Sequence, residues 1–122
     1  MAIITDVKLD FKDVLLQPKR STLKSRSEVD LVREYKFKNG STWNGTGIIS
    51  ANMDHTGTFE MAKELASYGL MTALHKHYTA EELVDFYVNN EDIWGNVFYG
   101  MGITKEDQEK LEVVQLAVAT QT

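Results

Sequence analysis

The regular alternation of short apolar runs with helical patterns after residue 47 constrains the fold more than any other feature of this sequence. Apolar runs of the buried-strand type begin near residues 48, 70 and 97, and a helical pattern follows each of them. Such alternation predicts a parallel sheet with helical crossovers. The period fits a flavodoxin-like open sheet and equally the start of a (β/α)8 barrel, which takes roughly 250 residues in full.

Capping signals mark the helices of this region. The first helix is predicted from about Thr58 to Tyr68 and is closed by Gly69. Thr79 and Glu82 form a capping box that opens the second helix. Thr104 and Asp107 are predicted to cap the third helix. Its predicted apolar face consists of Leu111, Val114 and Val118.

Residues 1–47 have a different pattern. Apolar residues alternate near the start, Pro18 stops regular structure, and Asn39-Gly40 is a strong hairpin turn signal. We therefore expect one partial domain over residues 1–122. In it, residues 1–47 form an extended lead-in with a basic loop and a hairpin, and residues 48–122 form the first βα units.

Charge is distributed unevenly along the chain. The formal net charge of −5 argues against general nucleic-acid binding. The segment 19–26 nevertheless has four cations and no acid; the cations are Lys19, Arg20, Lys24 and Arg26. This basic segment is either a solvated loop or a site for an anion such as a phosphate or a nucleotide.

Composition excludes several kinds of chemistry. The chain has no cysteine, so it cannot form disulfides, thiolate metal sites or a cysteine nucleophile from its own residues. No apolar run approaches the roughly 18 residues that span a bilayer, and residues 1–6 lack the pattern of a signal peptide. We expect a cytoplasmic protein with no membrane association.

Several blocks of the sequence closely resemble GMP reductase, a member of the IMP dehydrogenase/GMP reductase family. The blocks follow one another in the family's order and spacing and cover most of residues 6 to 80. They are Leu9 to Leu16, Pro18 to Leu31, Ala51 to Asp54, Gly57 to Ala62 and Ala73 to Tyr78. The segments Gly57 to Met61 and His75 to Tyr78 look like the reductase version, with an IMP dehydrogenase-like protein as the alternative.

The resemblance implies an α/β fold: the N-terminal part of a (β/α)8 TIM barrel, with about three βα units and the extended lead-in. It also implies a homotetramer that converts GMP to IMP and ammonia with NADPH as the reductant. In the family a cysteine attacks C2 of the purine, a threonine assists proton transfer, and a potassium ion orders the catalytic loop. The covalent attack splits one difficult step into two easier ones.

In the family those catalytic residues and the potassium loop lie far beyond position 122. We therefore assign no catalytic residue to this chain and expect it to be inactive alone. A truncated, frameshifted or split reading frame would explain the poor match after Val113. The alternative is a non-catalytic fragment that binds nucleotide or docks on intact reductase subunits.

The resemblance assigns Ser25, Arg26 and Lys76 to the NADPH site. A guanidinium fork and a hydroxyl suit a ribose 2′-phosphate, and a lysine suits a phosphate as a point charge. Met53 falls where this family packs a methionine on the purine, and a polarizable side chain suits an aromatic base. The plainer interpretations are a solvated arginine, a lysine at a strand end and a core methionine.

Three histidines raise the possibility of a metal site. His75 and His77 follow the second predicted strand of the βα region, and His55 follows the first. Lys76 between the pair would repel a cation. We therefore interpret them as hydrogen-bonding loop residues and assign no metal.

Overall fold

The computed structural model describes residues 3–122, which divide after Asp30 into two compact units. The first unit has two 3₁₀ turns, Phe11–Asp13 and Arg26–Glu28, connected by segments without regular secondary structure. All of its described residues are exposed to solvent. The first unit therefore has no core of its own among residues 3–30.

The second unit begins with a β-hairpin. Strands β1 (Arg33–Lys36) and β2 (Thr42–Gly45) pair antiparallel, with Tyr35 opposite Trp43 and 5.9 Å between the ring centroids. Gly40 adopts a φ of 87°, which a residue with a Cβ rarely adopts, so the turn predicted at Asn39-Gly40 is confirmed.

The predicted parallel sheet is also present. Strands β3 (Ile49–Ser50), β4 (Met71–Leu74) and β5 (Val97–Tyr99) lie in the order β3-β4-β5 and pair in parallel. Neighbours in the sheet are therefore neighbours in sequence. A flavodoxin-like sheet instead places its first strand between the second and the third, so the observed order does not match that alternative.

Three α-helices connect and follow these strands, each capped as the sequence predicts. Helix α1 (Phe59–Ser67) begins at the N-cap Thr58, and Gly69 beyond its end has a φ of 67°. Helices α2 (Ala80–Asn89) and α3 (Lys105–Gln121) both begin with complete capping boxes. A 3₁₀ segment, Glu91–Asn96, connects α2 to β5.

The core lies on one face of the parallel sheet. Leu74 of β4 packs with residues from all three helices, which are Ala62, Leu83, Phe86 and Val114. Thr72 is on the same face of β4 and is 1% exposed. None of the helices within residues 3–122 has the length and apolar character needed to cross a membrane.

Candidate functional site

The loops that follow the three parallel strands meet at one edge of the sheet, because the strands point in the same direction. The nitrogen of His75 donates to the carbonyl of Gly57 at 2.9 Å, and the nitrogen of Gly100 donates to the carbonyl of Leu74 at 2.8 Å. A Cβ on Gly57 would lie 2.3 Å from the carbonyl oxygen of Ala73. Glycine at this position therefore lets the first loop approach the second strand.

The loop after β3 contains Met53 and forms a shallow cavity. The cavity has a volume of about 410 Å³ and is lined by Asn52, Met53, Asp54, His55 and Thr56. Thr56 donates from its hydroxyl to the carbonyl of Ala51 at 2.9 Å, and Ser50 donates to the carbonyl of Thr56 at 2.8 Å. Two internal bonds thus hold the loop, while Met53 is 63% exposed and accessible to a ligand.

The loop after β4 contains Lys76 and is anchored by a stack of rings. His75 stacks on Tyr78 at a centroid distance of 4.1 Å, and Tyr78 stacks on Phe59 at 3.7 Å. Phe59 in turn stacks on the buried ring of Phe86 at 4.3 Å. The hydroxyl of Tyr78 also accepts a hydrogen bond from the nitrogen of Phe59 at 3.1 Å, so Tyr78 contributes to the cap of α1.

The structure brings the two loops together. The Nε2 atom of His77 lies 3.3 Å from Oδ1 of Asp54, so the pair forms a salt bridge when the imidazole is protonated. Met53 and Lys76 are the sequence neighbours of these two residues, so both predicted site residues lie on joined loops. Within residues 3–122 no three potential metal-ligating side chains converge, at His55, His75 and His77 or elsewhere.

Lys76 is exposed, and two donors fix its backbone. Its carbonyl oxygen accepts from the hydroxyl of Tyr99 at 3.4 Å and from the Nζ atom of Lys110 at 3.2 Å. Both bonds end on the carbonyl and leave the side chain available to a ligand. Local sequence patterns do not indicate Tyr99 or Lys110, because these residues lie 23 and 34 positions away from Lys76 along the chain.

Ser25 and Arg26 lie together in the second 3₁₀ turn of the first unit. The hydroxyl of Ser25 accepts from the nitrogen of Ser27 at 3.3 Å and shares a hydrogen bond of 2.9 Å with the Ser27 hydroxyl. The nitrogen of Lys24 donates to a carboxylate oxygen of Glu28 at 3.2 Å. Arg26 is exposed at this turn, so its guanidinium can reach an anion from solvent.

Two carboxylates near the Lys76 loop have a lowered pKa. The backbone N–H and then the hydroxyl of Thr79 lower the pKa of Glu82. The hydroxyl and then the backbone N–H of Thr104 lower the pKa of Asp107. The charge of Lys110 adds a smaller contribution in both cases. Both carboxylates therefore stay ionised near neutral pH and serve the helix caps.

A larger cavity of about 600 Å³ lies beside α3 and is lined in part by Tyr99. Its lining is mostly apolar and includes Leu83, Trp94 and Val118. Burial raises the pKa of Tyr87, which also lines the cavity, to about 12. That hydroxyl is therefore neutral at physiological pH and unsuited to act as a general base.

Comparison with known proteins connects this geometry to a family. Residues 8–117 match the family model described as "IMP dehydrogenase / GMP reductase domain". GMP reductase from Klebsiella pneumoniae is 53% identical over 116 residues, which are 93% of this chain and 33% of that protein. Human GMP reductase 2 is 52% identical over 117 residues, 95% of this chain and 34% of that protein.

A solved structure agrees with the sequence comparisons. The crystal structure of inosine 5′-monophosphate dehydrogenase from Legionella pneumophila superposes with a TM-score of 0.66 at 32% identity, over 88% of this chain and 32% of that chain. This chain thus spans about one third of the length of the curated relatives that it matches.

Proposed function

This chain belongs to the IMP dehydrogenase/GMP reductase family, and from that premise we propose that it is part of a GMP reductase. The reaction is the NADPH-dependent reductive deamination of GMP to IMP and ammonia. The observation that carries the choice of reductase is the identity of 52–53% with relatives named GMP reductase over more than nine tenths of the chain. The cytosol is the proposed location, on the sequence features given above.

We propose that residues 48–122 are the first βα units of a (β/α)8 barrel that assembles as a homotetramer. The sequential strand order and the helices on one face of the sheet support the barrel. So does the likeness to the solved dehydrogenase. The division into one partial domain with a lead-in over residues 1–47 is part of the same proposal.

Met53 and Lys76 would contact the two small molecules of this reaction. Both follow parallel strands at the edge where barrel enzymes place their sites, and the contact between Asp54 and His77 joins their loops. The exposed thioether of Met53 suits the face of the purine of GMP or IMP. The exposed ammonium of Lys76 suits the negative charge of the cofactor.

Ser25 and Arg26 would bind the adenosine end of NADPH. A guanidinium can hold the ribose 2′-phosphate with two parallel hydrogen bonds, and the neighbouring hydroxyl can add another. The exposure of Arg26 and the fixed turn that holds it fit this role. NADPH, when bound, supplies the hydride for reduction of the purine.

The covalent step needs a nucleophile that this sequence does not contain, since it has no cysteine. We propose that the cysteine, the threonine and the loop ordered by potassium belong to the rest of the enzyme. The contribution of this chain is then to bind and orient the cofactor and the purine. The purified chain alone is expected to show no GMP-dependent oxidation of NADPH, and measurable turnover would contradict this division of roles.

A hybrid enzyme tests the proposed function directly. Residues 8–117 of this chain replace the matching third of the Klebsiella GMP reductase, and GMP-dependent NADPH oxidation is measured. The hybrid is expected to turn over, and Arg26→Gln in the hybrid should raise the KM for NADPH about tenfold because a charged hydrogen bond is lost. Lys38→Gln, an exposed change in the hairpin turn, is the control. A soluble tetrameric hybrid without activity would contradict the proposal.

The absence of cysteine also favours a second candidate, a non-catalytic fragment that binds nucleotide or docks on intact reductase subunits. Co-purification of the chain with a full-length reductase, together with a change in that enzyme's rate, would support it. A third candidate, an IMP dehydrogenase-like role, predicts that the same segment supports IMP-dependent reduction of NAD in a dehydrogenase hybrid.

A further inference from the structure

We propose that Lys110 is a positioning residue that holds the loop of Lys76 in the conformation that presents Lys76 to the cofactor. This proposal rests on the proposed function, because it assigns Lys76 to the NADPH site. It concerns a residue of α3 that the proposed function leaves without a role.

The contacts of Lys110 converge on the backbone of one loop. Its Nζ atom donates to the carbonyl oxygen of Lys76 at 3.2 Å and to the carbonyl oxygen of Tyr78. A lysine ammonium has three donors, so these two bonds use most of its capacity. A single side chain of α3 thus connects two carbonyls of the loop to a position more than thirty residues later in the chain.

Tyr99 holds the same loop together with Lys110, and we call these two residues the clamp. Its hydroxyl donates to the carbonyl of Lys76 at 3.4 Å, and the Nζ atom of Lys110 lies 5.4 Å from the centre of its ring. This distance allows a cation–π interaction, which fixes the ammonium from a further direction. Tyr99 is the last residue of β5, so the loop is held from the sheet as well as from α3.

The clamp fixes the backbone of the loop and leaves the side chain of Lys76 exposed. The bonds from Lys110 and Tyr99 end on carbonyl oxygens, while the side chain of Lys76 is exposed. The charge of Lys110 is partly balanced by the carboxylates of Glu82 and Asp107, whose pKa values it helps to lower. The loop thereby presents the cation of Lys76 from a fixed backbone, which reduces the entropy lost when an anion binds.

If Lys110 had a purely structural role and only held α3 against the loop, a different result would be expected. In that case its removal would lower stability and leave the affinity of the folded chain for NADPH unchanged. If Lys110 instead acted on the cofactor through its own charge, its effect would add to that of Lys76. A positioning residue acts through Lys76, so the two effects are not additive.

The test uses the full 122-residue chain and four variants: Lys110→Met, Lys110→Arg, Lys76→Met and the double variant Lys76→Met/Lys110→Met. The NADPH dissociation constant is measured by the fluorescence of the nicotinamide. We expect Lys110→Met and Lys76→Met each to weaken binding about tenfold, and the double variant to be no weaker than Lys76→Met. Lys110→Arg, which keeps the charged donors, should restore most of the affinity. Lys105→Met, on the same helix, is the control.

Hydrogen exchange separates failure of this proposal from failure of the proposed function. The amide of His77 donates to Nδ1 of His75 within the loop, so its exchange reports loop order. If the His77 amide exchanges faster in Lys110→Met and at the wild-type rate in Lys76→Met, the clamp is supported even when the wild-type chain binds no NADPH. That lack of binding would contradict the cofactor role alone. Unchanged exchange in Lys110→Met, or additive losses of affinity, would overturn the proposal.

A milder variant keeps the test decisive if Lys110→Met does not fold. Tyr99→Phe removes only the hydroxyl that donates to the Lys76 carbonyl and retains the ring beneath Lys110. It is expected to weaken NADPH binding about threefold and to speed exchange at His77. An unchanged affinity and unchanged exchange in folded Tyr99→Phe would count against the clamp.

Discussion

The two units of the chain differ in whether they bury any of their apolar side chains. In the first unit Leu15 and Leu16 are 98% and 100% exposed, whereas in the second unit Leu74 and Leu83 are 0% exposed. The second unit has apolar positions at helical and strand spacing, and its elements share one sheet face. An apolar composition is therefore not sufficient to make a core; the spacing must place the side chains on a common face.

The two units also differ in how far their hydrogen bonds reach along the sequence. The side-chain bonds of the two 3₁₀ turns in the first unit reach at most four residues along the chain. In the second unit, Asn96 donates to the carbonyl of Leu70, 26 residues away, and Lys110 reaches further still. The two turns of the first unit thus depend on local bonds, whereas the second unit also has bonds between distant segments.

Truncation of a leucine in each unit gives the largest expected contrast. Leu83→Ala should lower the free energy of unfolding by about 3 kcal/mol, because it removes a fully buried side chain and leaves a cavity in the core. Leu16→Ala removes the same atoms from a fully exposed site and should change stability by less than about 0.5 kcal/mol. Urea unfolding followed by circular dichroism measures both. Equal losses of stability in the two variants would contradict this contrast between a buried and an exposed leucine.

Replacement of Thr72 is expected to stabilise the second unit. Its hydroxyl is buried, and within residues 3–122 no hydrogen-bond partner reaches it. Thr72→Val replaces the hydroxyl with a methyl group of similar size and should raise the free energy of unfolding by about 1 kcal/mol. Thr42→Val, at an exposed position of β2, is the matched control and should have almost no effect. A loss of stability in Thr72→Val would indicate that an ordered water satisfies the hydroxyl.

Local signals account for the parts of the fold that the sequence predicts well. Each α-helix begins at its predicted threonine, because an N-cap hydroxyl bonds a backbone nitrogen within three residues. The hairpin turn follows from the conformational freedom of Gly40. Strand boundaries are less well predicted: the run of residues 48–53 yields only Ile49–Ser50 as a strand, because the chain then turns into the loop of Met53.

The candidate site is predictable only in part. The alternation of strands and helices places Met53 and Lys76 after strands, so their common edge follows from topology. The clamp by Lys110 and the stack from His75 to Phe86 do not follow, because they depend on contacts between segments distant in sequence. These contacts arise from packing, and no spacing in the sequence encodes them.

The contribution of the α3 cap to stability at low pH is the smallest effect that we expect. It can be tested by unfolding the chain at acid pH. Because the pKa of Asp107 is lower in the folded chain than its ordinary value of 3.8, its carboxylate contributes stability above that value. The contribution is lost as the pH falls through the folded pKa. Thr104→Val removes the hydroxyl that is the main cause of the lowered pKa and that caps α3, so it should slightly lower the free energy of unfolding at neutral pH. It should also flatten the loss of stability below about pH 4.

Thr104→Ser keeps the hydroxyl and is the matched control, so its pH profile should follow that of the wild type. Free energies of unfolding measured in urea, from neutral pH down to about pH 2, give the comparison. The capping box of the first unit, formed by Asp10 and Asp13, opens a turn of only three residues and supports no helix. The same local motif thus stabilises the fold only where a helix and a core follow it. If Thr104→Val kept the full acid dependence of the wild type, groups other than the α3 cap would control acid unfolding.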